Sequence, residues 1–124
     1  MKLPNGAKAV VDIEKLRDYC LSAHHPEGRH KAHHPEGRHK ARVFLSALGM
    51  SASDADSLRG ILLAEAAMNN DVSMVNADKY GCRYSLDVAV TCGSRVARVR
   101  SAWIIKAGED FPRLTSCYVL RGDE

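Results

Sequence analysis

The sequence has no histidine outside one short stretch, no closely spaced pair of cysteines and no long apolar run. The cysteines at 20, 82, 92 and 117 include no Cys-x-x-Cys pair, which argues against a structural zinc site and favours reduced thiols. No apolar run approaches the roughly 20 residues of a membrane-spanning helix, and the first six residues lack the apolar region of a signal peptide. We therefore expect no cofactor, no metal and no membrane association, with a location in the cytoplasm or delivery to it.

Length and composition predict one globular domain over residues 1–124. The chain has 124 residues, of which 45% are hydrophobic, and this share argues against disorder. Its formal net charge is +3 with neutral histidines. A mildly basic domain permits a polyanionic partner but does not require one.

The chemistry-bearing stretch is an exact tandem duplication of nine residues over 24–41, His-His-Pro-Glu-Gly-Arg-His-Lys-Ala. It contains every histidine of the chain: His24, His25, His30, His33, His34 and His39. Any imidazole chemistry must therefore come from it. We expect one copy to belong to the fold and the other to be an insertion, but the sequence does not choose between them. Two plainer alternatives are a solvated basic loop and a tract that binds metal ions adventitiously.

Helical periodicity dominates the first half of the chain. Asp12 is a suitable N-cap for a helix over about residues 13–22. A second helix over 38–48 carries an apolar stripe and ends at Gly49, a residue typical of left-handed C-caps. Lys40 and His39 lie four residues before Phe44 and Val43, which places this basic pair on the inward edge of the helix. A third helix follows, with Ser53 and Asp56 at capping-box spacing.

The second half changes to a two-residue period, which predicts antiparallel strands. We expect strands over 83–91, 96–106 and 113–120, and a further short one from Val72. In the last strand, Leu114, Ser116, Tyr118 and Leu120 are expected to share the inward face. The fold class is then α+β, with N-terminal helices packed on one face of a three- to four-stranded antiparallel sheet.

Several short motifs together resemble a little-characterised family of small bacterial domains. These motifs are Leu-Pro-Asn-Gly at 3–6, the Gly-Arg-His-Lys-Ala helix start, Val-Arg-Ser-Ala-Trp-Ile at 99–104 and Pro-Arg-Leu-Thr-Ser-Cys-Tyr at 112–118. Domains of that kind occur alone or as C-terminal tips of polymorphic toxins. Their order of elements is similar to that of the barnase–EndoU–colicin–RelE ribonucleases, although a shared fold does not determine function.

The resemblance implies a metal-independent endoribonuclease that leaves a 2′,3′-cyclic phosphate. A histidine would be the general acid or base and a lysine would neutralise the phosphorane charge. These roles carry over to His39 and Lys40, or to their copies His30 and Lys31. The substrate-binding candidates that it implies are Arg29, Arg38, Ser101, Arg113 and Ser116.

The sequence also allows purely structural roles for several of these candidates and does not identify a second catalytic group. Ser101 and Ser116 alternate with large apolar residues, so each is equally well explained as a buried, hydrogen-bonded serine. Trp103 and Tyr118 are expected in the core. Since no histidine lies outside the repeat, a second catalytic group would have to be a lysine, arginine, tyrosine or a carboxylate such as Asp87.

Three hypotheses follow for function and assembly. The first is the ribonuclease, with an RNA substrate, a cognate immunity protein as partner and an activity attenuated by the duplication. The second is a non-catalytic immunity or regulatory module that binds an acidic partner or RNA through its basic loop. The third concerns assembly alone: the lengthened connection between the first two helices would allow a domain-swapped homodimer.

Overall fold

The computed structural model describes residues 1–21 and 35–120, with side chains described over 1–21 and 40–120. The first copy of the repeat lies outside these ranges, so the prediction that one copy is an insertion, and the roles of Arg29, His30 and Lys31, stay predictions. The same holds for a homodimer through the lengthened connection.

Three helices come first in the chain. Helix α1 runs over Ile13–Lys15 and continues as a π-helical turn over Leu16–Cys20. Helix α2 spans Pro35–Leu48 and helix α3 spans Ala55–Met68. Short 3₁₀ turns at Gly6–Lys8 and Ala52–Asp54 precede α1 and α3.

Helix α2 starts earlier than the sequence predicted, because the second copy of the repeat forms its first turns. Pro35 is the first helical residue. Proline is tolerated there because the first N–H groups of a helix have no intrahelical partner. The helix ends as predicted, with Gly49 at φ 70° and its N–H 2.8 Å from the Leu45 carbonyl oxygen. The second copy is therefore continuous with the fold.

The predicted cap of α3 is displaced by two residues. The Asp54 carboxylate accepts a hydrogen bond from the Ser51 N–H at 2.9 Å, so the capping box pairs Ser51 with Asp54 instead of Ser53 with Asp56. The reason is the 3₁₀ turn, which begins the helical path before the α-helix proper. The predicted N-cap of α1 is confirmed, since Asp12 accepts from the Glu14 N–H at 3.1 Å.

Four strands form one antiparallel sheet in the order β1-β2-β3-β4. Strand β1 spans Val72–Asp78, β2 spans Gly81–Cys92, β3 spans Arg95–Lys106 and β4 spans Arg113–Val119. The predicted α+β class is therefore confirmed, with helices preceding a four-stranded sheet. Outside these strands, Val10 forms an isolated parallel bridge with Arg113.

The helices cover only one face of the sheet, which we call the inner face. Apolar side chains from all three helices share a core with alternate residues of the strands. Phe44 of α2, Leu62 of α3 and Leu86 of β2 are each fully buried there. The opposite, outer face carries Asp87, Arg98 and other polar side chains of the same strands, as expected for a half-buried antiparallel sheet.

A bulge in β4 overturns the predicted faces of that strand. Ala102 pairs with Ser116 but Trp103 pairs with Leu114, which leaves Thr115 as the extra residue. One extra residue exchanges the two faces beyond it. Cys117 and Val119 are consequently buried with Leu114, whereas Ser116 and Tyr118 are only half-buried on the outer face.

Candidate functional site

A cluster of polar side chains lies on the outer face where three strands run side by side. Asp87 of β2 is directly opposite Arg100 of β3, and Arg100 is directly opposite Tyr118 of β4. Side chains opposite one another in an antiparallel sheet lie close enough to interact. We call Lys40, Asp87, Arg98, Arg100 and Tyr118 the outer-face cluster.

Helix α2 contributes Lys40 to the outer-face cluster. Ala41 and Phe44 anchor this helix in the core, while Arg42 and Ser46 are exposed, as predicted. Lys40 is half-buried, and its Nζ lies 4.7 Å from the centre of the Tyr118 ring. An ammonium over an aromatic ring is attracted by the ring's negative face. This contact gives Lys40 a defined position beside the last strand.

Asp87 fixes the orientation of the Arg100 guanidinium through two hydrogen bonds. Its two carboxylate oxygens accept from Nε and Nη2 of Arg100 at 2.8 and 2.9 Å. Arg98 Nη2 is 3.9 Å from the same carboxylate. The hydrogen bond from Arg100 lowers the pKa of Asp87, and the same bond raises the pKa of Arg100. Asp87 therefore orients the Arg100 guanidinium, and its lowered pKa makes it a weaker base than a free carboxylate.

The charge of the outer-face cluster is positive, because it contains three cations, Lys40, Arg98 and Arg100, and one carboxylate, Asp87. The other arginines of this face each have an acid of their own: Arg83 contacts Asp78 at 2.7 Å and Arg113 contacts Glu109 at 2.9 Å. Among the described side chains no carboxylate pairs with Lys40. Cations of this kind around one carboxylate suit an anionic ligand such as a phosphate.

The predicted site residues fall into separate places. Arg38, His39 and Lys40 lie on α2, and Ser116 lies on the outer face next to Tyr118. Arg113 is at the other end of β4, about 16 Å from Tyr118 along the strand at 3.3 Å per residue. It forms a bidentate pair with Glu109 and stacks on Phe111 at 4.8 Å. The structure therefore does not bring Arg113 together with Lys40.

Ser101 lies in the core and takes no part in the outer-face cluster. Its hydroxyl donates to the Leu86 carbonyl oxygen at 2.7 Å and accepts from Trp103 Nε1 at 2.8 Å, and the residue is fully buried. The buried-serine alternative applies here, and Trp103 is a core residue as predicted. A phosphate could not reach this hydroxyl without opening the sheet–helix interface.

We expect Ser101→Ala to destabilise the protein by about 1–3 kcal/mol, because Trp103 Nε1 would be left buried without an acceptor. The matched control is Ser116→Ala on the half-buried outer face, for which we expect a change within about 0.5 kcal/mol. Urea denaturation followed by circular dichroism measures both. Equal effects from the two substitutions would contradict this structural role for Ser101.

Sequence reasoning missed Tyr118 and Arg100 as site residues. Tyr118 was expected in the core, but the bulge at Thr115 turns its ring to the outer face and toward Lys40. Nothing in the sequence pattern marks Arg100 as a site residue. Its opposite neighbours, Asp87 and Tyr118, become visible only with the strand register.

Comparison with known families gives one result. The model of a domain of unknown function, DUF6883, matches residues 2–121. The chain belongs to this family. No curated protein matches the chain.

Two further features of the described part of the DUF6883 domain concern membranes and metal ions. No described helix is long and apolar enough to cross a membrane. Residues 1–21 and 40–120 bring together no group of three or more histidine, cysteine or acidic side chains that could hold a metal ion.

Proposed function

We propose that this domain is a toxin-like, metal-independent ribonuclease whose active site combines the start of α2 with the outer-face cluster. The observation that supports it most is the position of Lys40 beside Tyr118, which is directly opposite Arg100 in the sheet. Lysine and arginine can neutralise the charge that develops on a phosphorane during RNA cleavage. An open, positively charged sheet face also leaves room for a flexible polyanion.

The roles follow from the residue types and their positions. His39 precedes Lys40 in α2 and would activate the 2′-hydroxyl as general base, since an imidazole titrates near neutral pH. Lys40 and Arg100 would bind the phosphate oxygens. Tyr118 carries the phenol nearest to Lys40 and would donate a hydrogen bond to the substrate or protonate the leaving oxygen. No step requires a metal ion.

The duplication is proposed to attenuate this activity. The first copy adds nine residues ahead of the catalytic pair. A displacement of that pair by about 1 Å can cost about a hundredfold in rate. Deleting residues 24–32 would restore a single copy and should raise the rate of cleavage or the toxicity in cells. A deleted form as inactive as the full chain would show that the duplication does not attenuate.

The same pair of residues occurs in both copies, which provides a matched control. We expect His39→Ala with Lys40→Ala to reduce RNA cleavage in EDTA by at least about a hundredfold, since each group acts on the transition state. The corresponding change of His30 and Lys31 should leave most of the rate, because the second copy is the one continuous with helix α2. Gel analysis of a labelled RNA, with detection of the 2′,3′-cyclic phosphate end, measures both.

The same RNA cleavage assay also distinguishes the ribonuclease from the second candidate, a non-catalytic immunity or regulatory module. Exposed apolar side chains on the edge strand β1, Met74 and Val75, favour a protein partner for that module. If neither the full chain nor the form lacking 24–32 cleaves RNA while both are folded, the ribonuclease proposal fails. The binding module then predicts loss of affinity, without any turnover, in the His39 and Lys40 variant.

A further inference from the structure

The guanidinium of Arg113 is held by two residues of the turn between β3 and β4. Its Nε and Nη2 each donate to one carboxylate oxygen of Glu109 at 2.9 Å. Its Cζ lies 4.8 Å from the centre of the Phe111 ring. A bidentate pair fixes the orientation of a guanidinium, and an aromatic ring packs against its flat side. Arg113 therefore presents a planar group whose orientation is set before any ligand binds.

Part of this planar group is accessible on the outer face. Arg113 is directly opposite Ile104, which shares the two-residue period of Arg98 and Arg100 and therefore lies on the outer face with them. The helices pack against the inner face. The Arg113 side chain is 38% exposed. Because Phe111 covers one side of the guanidinium, this exposure belongs to its other side and its remaining edge.

The charges around Arg113 favour a neutral planar ligand over a phosphate. The hydrogen bond from Arg113 lowers the pKa of Glu109, so this carboxylate is ionised at neutral pH and balances the guanidinium charge. A phosphate bound there would meet the carboxylate as well as the guanidinium. A nucleobase carries no charge, and unpaired bases stack on guanidinium planes as they do on aromatic rings.

We propose that Arg113, oriented by Glu109 and backed by Phe111, is a stacking site for one unpaired nucleobase of RNA. The proposal rests on RNA as the ligand in the proposed function, but not on its cleavage. It narrows the ligand to single-stranded RNA, because the bases of a duplex are already stacked on one another.

The stacked base belongs to a different nucleotide from the one at the outer-face cluster. Arg113 is about 16 Å from Tyr118 along β4 at 3.3 Å per residue. A stacked strand rises only about 3.4 Å per nucleotide. The ligand must therefore extend over several nucleotides to reach both places, and a single nucleotide would occupy only one of them.

The test measures the binding of labelled 2′-O-methyl RNA to the full chain by fluorescence anisotropy. This RNA lacks the free 2′-hydroxyl that cleavage requires, and a length of about eight nucleotides suits a single-strand site. We expect Arg113→Lys to lower the affinity by about 5- to 100-fold, because lysine keeps the charge but has no plane on which a base can stack. The dependence of the affinity on salt should not change, since the number of cations is the same.

Arg83→Lys is the matched control for this substitution. Arg83 lies on the same face and also pairs with a carboxylate, but only through Nη1, which is 2.7 Å from Asp78. A change within about twofold is expected there. Phe111→Leu is a second test variant, because it removes the ring behind the guanidinium and leaves Arg113 in place. It should weaken binding in the same direction, and it replaces Arg113→Lys if that variant does not fold.

A second measurement separates stacking from a purely structural role of Arg113. The same RNA is made with one abasic residue at each position in turn. With the unaltered chain, loss of one particular base should remove most of the stacking affinity. With Arg113→Lys the loss of that base should have little further effect, because the stacking partner is already gone. A purely structural role would lower Tm without this dependence on a base.

The proposal is overturned if folded Arg113→Lys binds the RNA as tightly as the unaltered chain, or shows the same dependence on the abasic position. It is also overturned if the unaltered chain does not bind this RNA. Cleavage of ordinary RNA is measured separately. Binding that depends on Arg113 without any cleavage would count against the ribonuclease and support the stacking site, whereas cleavage with no effect of Arg113 on binding would do the reverse.

Discussion

Replacement of Gly81 by alanine is expected to destabilise the protein by about 3–5 kcal/mol, a large part of the roughly 5–15 kcal/mol that holds a domain folded. Gly81 begins β2 with φ 142°, a conformation that residues with a Cβ rarely adopt. An added Cβ would lie 2.9 Å from the Cα of Lys106 and closer still to the carbonyl oxygen of Ile105. Both neighbours are backbone of β3, so neither can move without breaking the strand pairing.

Gly93 provides the matched control for this substitution. It has φ 62° in the turn between β2 and β3, but no atom lies within 4 Å of where its Cβ would be. Gly93→Ala should therefore cost only the left-handed strain of about 1–2 kcal/mol. Urea denaturation of both variants measures the difference. If Gly81→Ala lowers the free energy of unfolding no more than Gly93→Ala does, the backbone of β3 does not lie as close to Gly81 as the structure places it.

Trp103→Ala is expected to lower the free energy of unfolding by about 3–5 kcal/mol. The side chain is 1% exposed at the centre of the inner face, so its removal leaves a cavity between β3 and the helices. It also removes the donor that Ser101 accepts from. Because Trp103 is the single tryptophan of the chain, far-UV circular dichroism in urea must replace fluorescence as the measurement.

The control for Trp103 is Tyr80→Ala, which removes an aromatic ring that is 61% exposed. A change within about 0.5–1 kcal/mol is expected there, since little apolar surface returns to water. Trp103→Phe should fall between the two, because it keeps most of the ring but loses the hydrogen bond to Ser101. A Trp103→Ala variant as stable as Tyr80→Ala would contradict a packed core at this position.

Hydrophobic periodicity and capping residues were sufficient to predict the helices and strands, and most of their buried faces. The two-residue period of 83–91 placed Tyr84, Leu86 and Val88 inward, and all three are buried. The stripe of α2 and the glycine at its end were also correctly predicted. These predictions succeed because the direction of side chains in a regular helix or strand depends only on the residue period of that element.

The predictions of side-chain faces and helix caps were wrong where one extra residue or one turn shifted the hydrophobic periodicity. The bulge at Thr115 reversed the faces of Ser116 and Tyr118, and its position depends on the pairing with β3. The cap of α3 moved from Ser53 to Ser51 because a 3₁₀ turn precedes the helix. In both cases the outcome depends on local backbone geometry, which cannot be inferred from a pattern of hydrophobic residues.

The sequence by itself determined the α+β class, the order of helices and strands, and the segment that carries all the imidazoles. Only the tertiary structure decided which polar groups meet: Lys40 with Tyr118, and Asp87 with Arg100. Secondary structure is encoded by neighbours a few residues apart, whereas each of these pairs joins different elements through register and packing. That is why a repeat could be found by inspection and its surroundings could not.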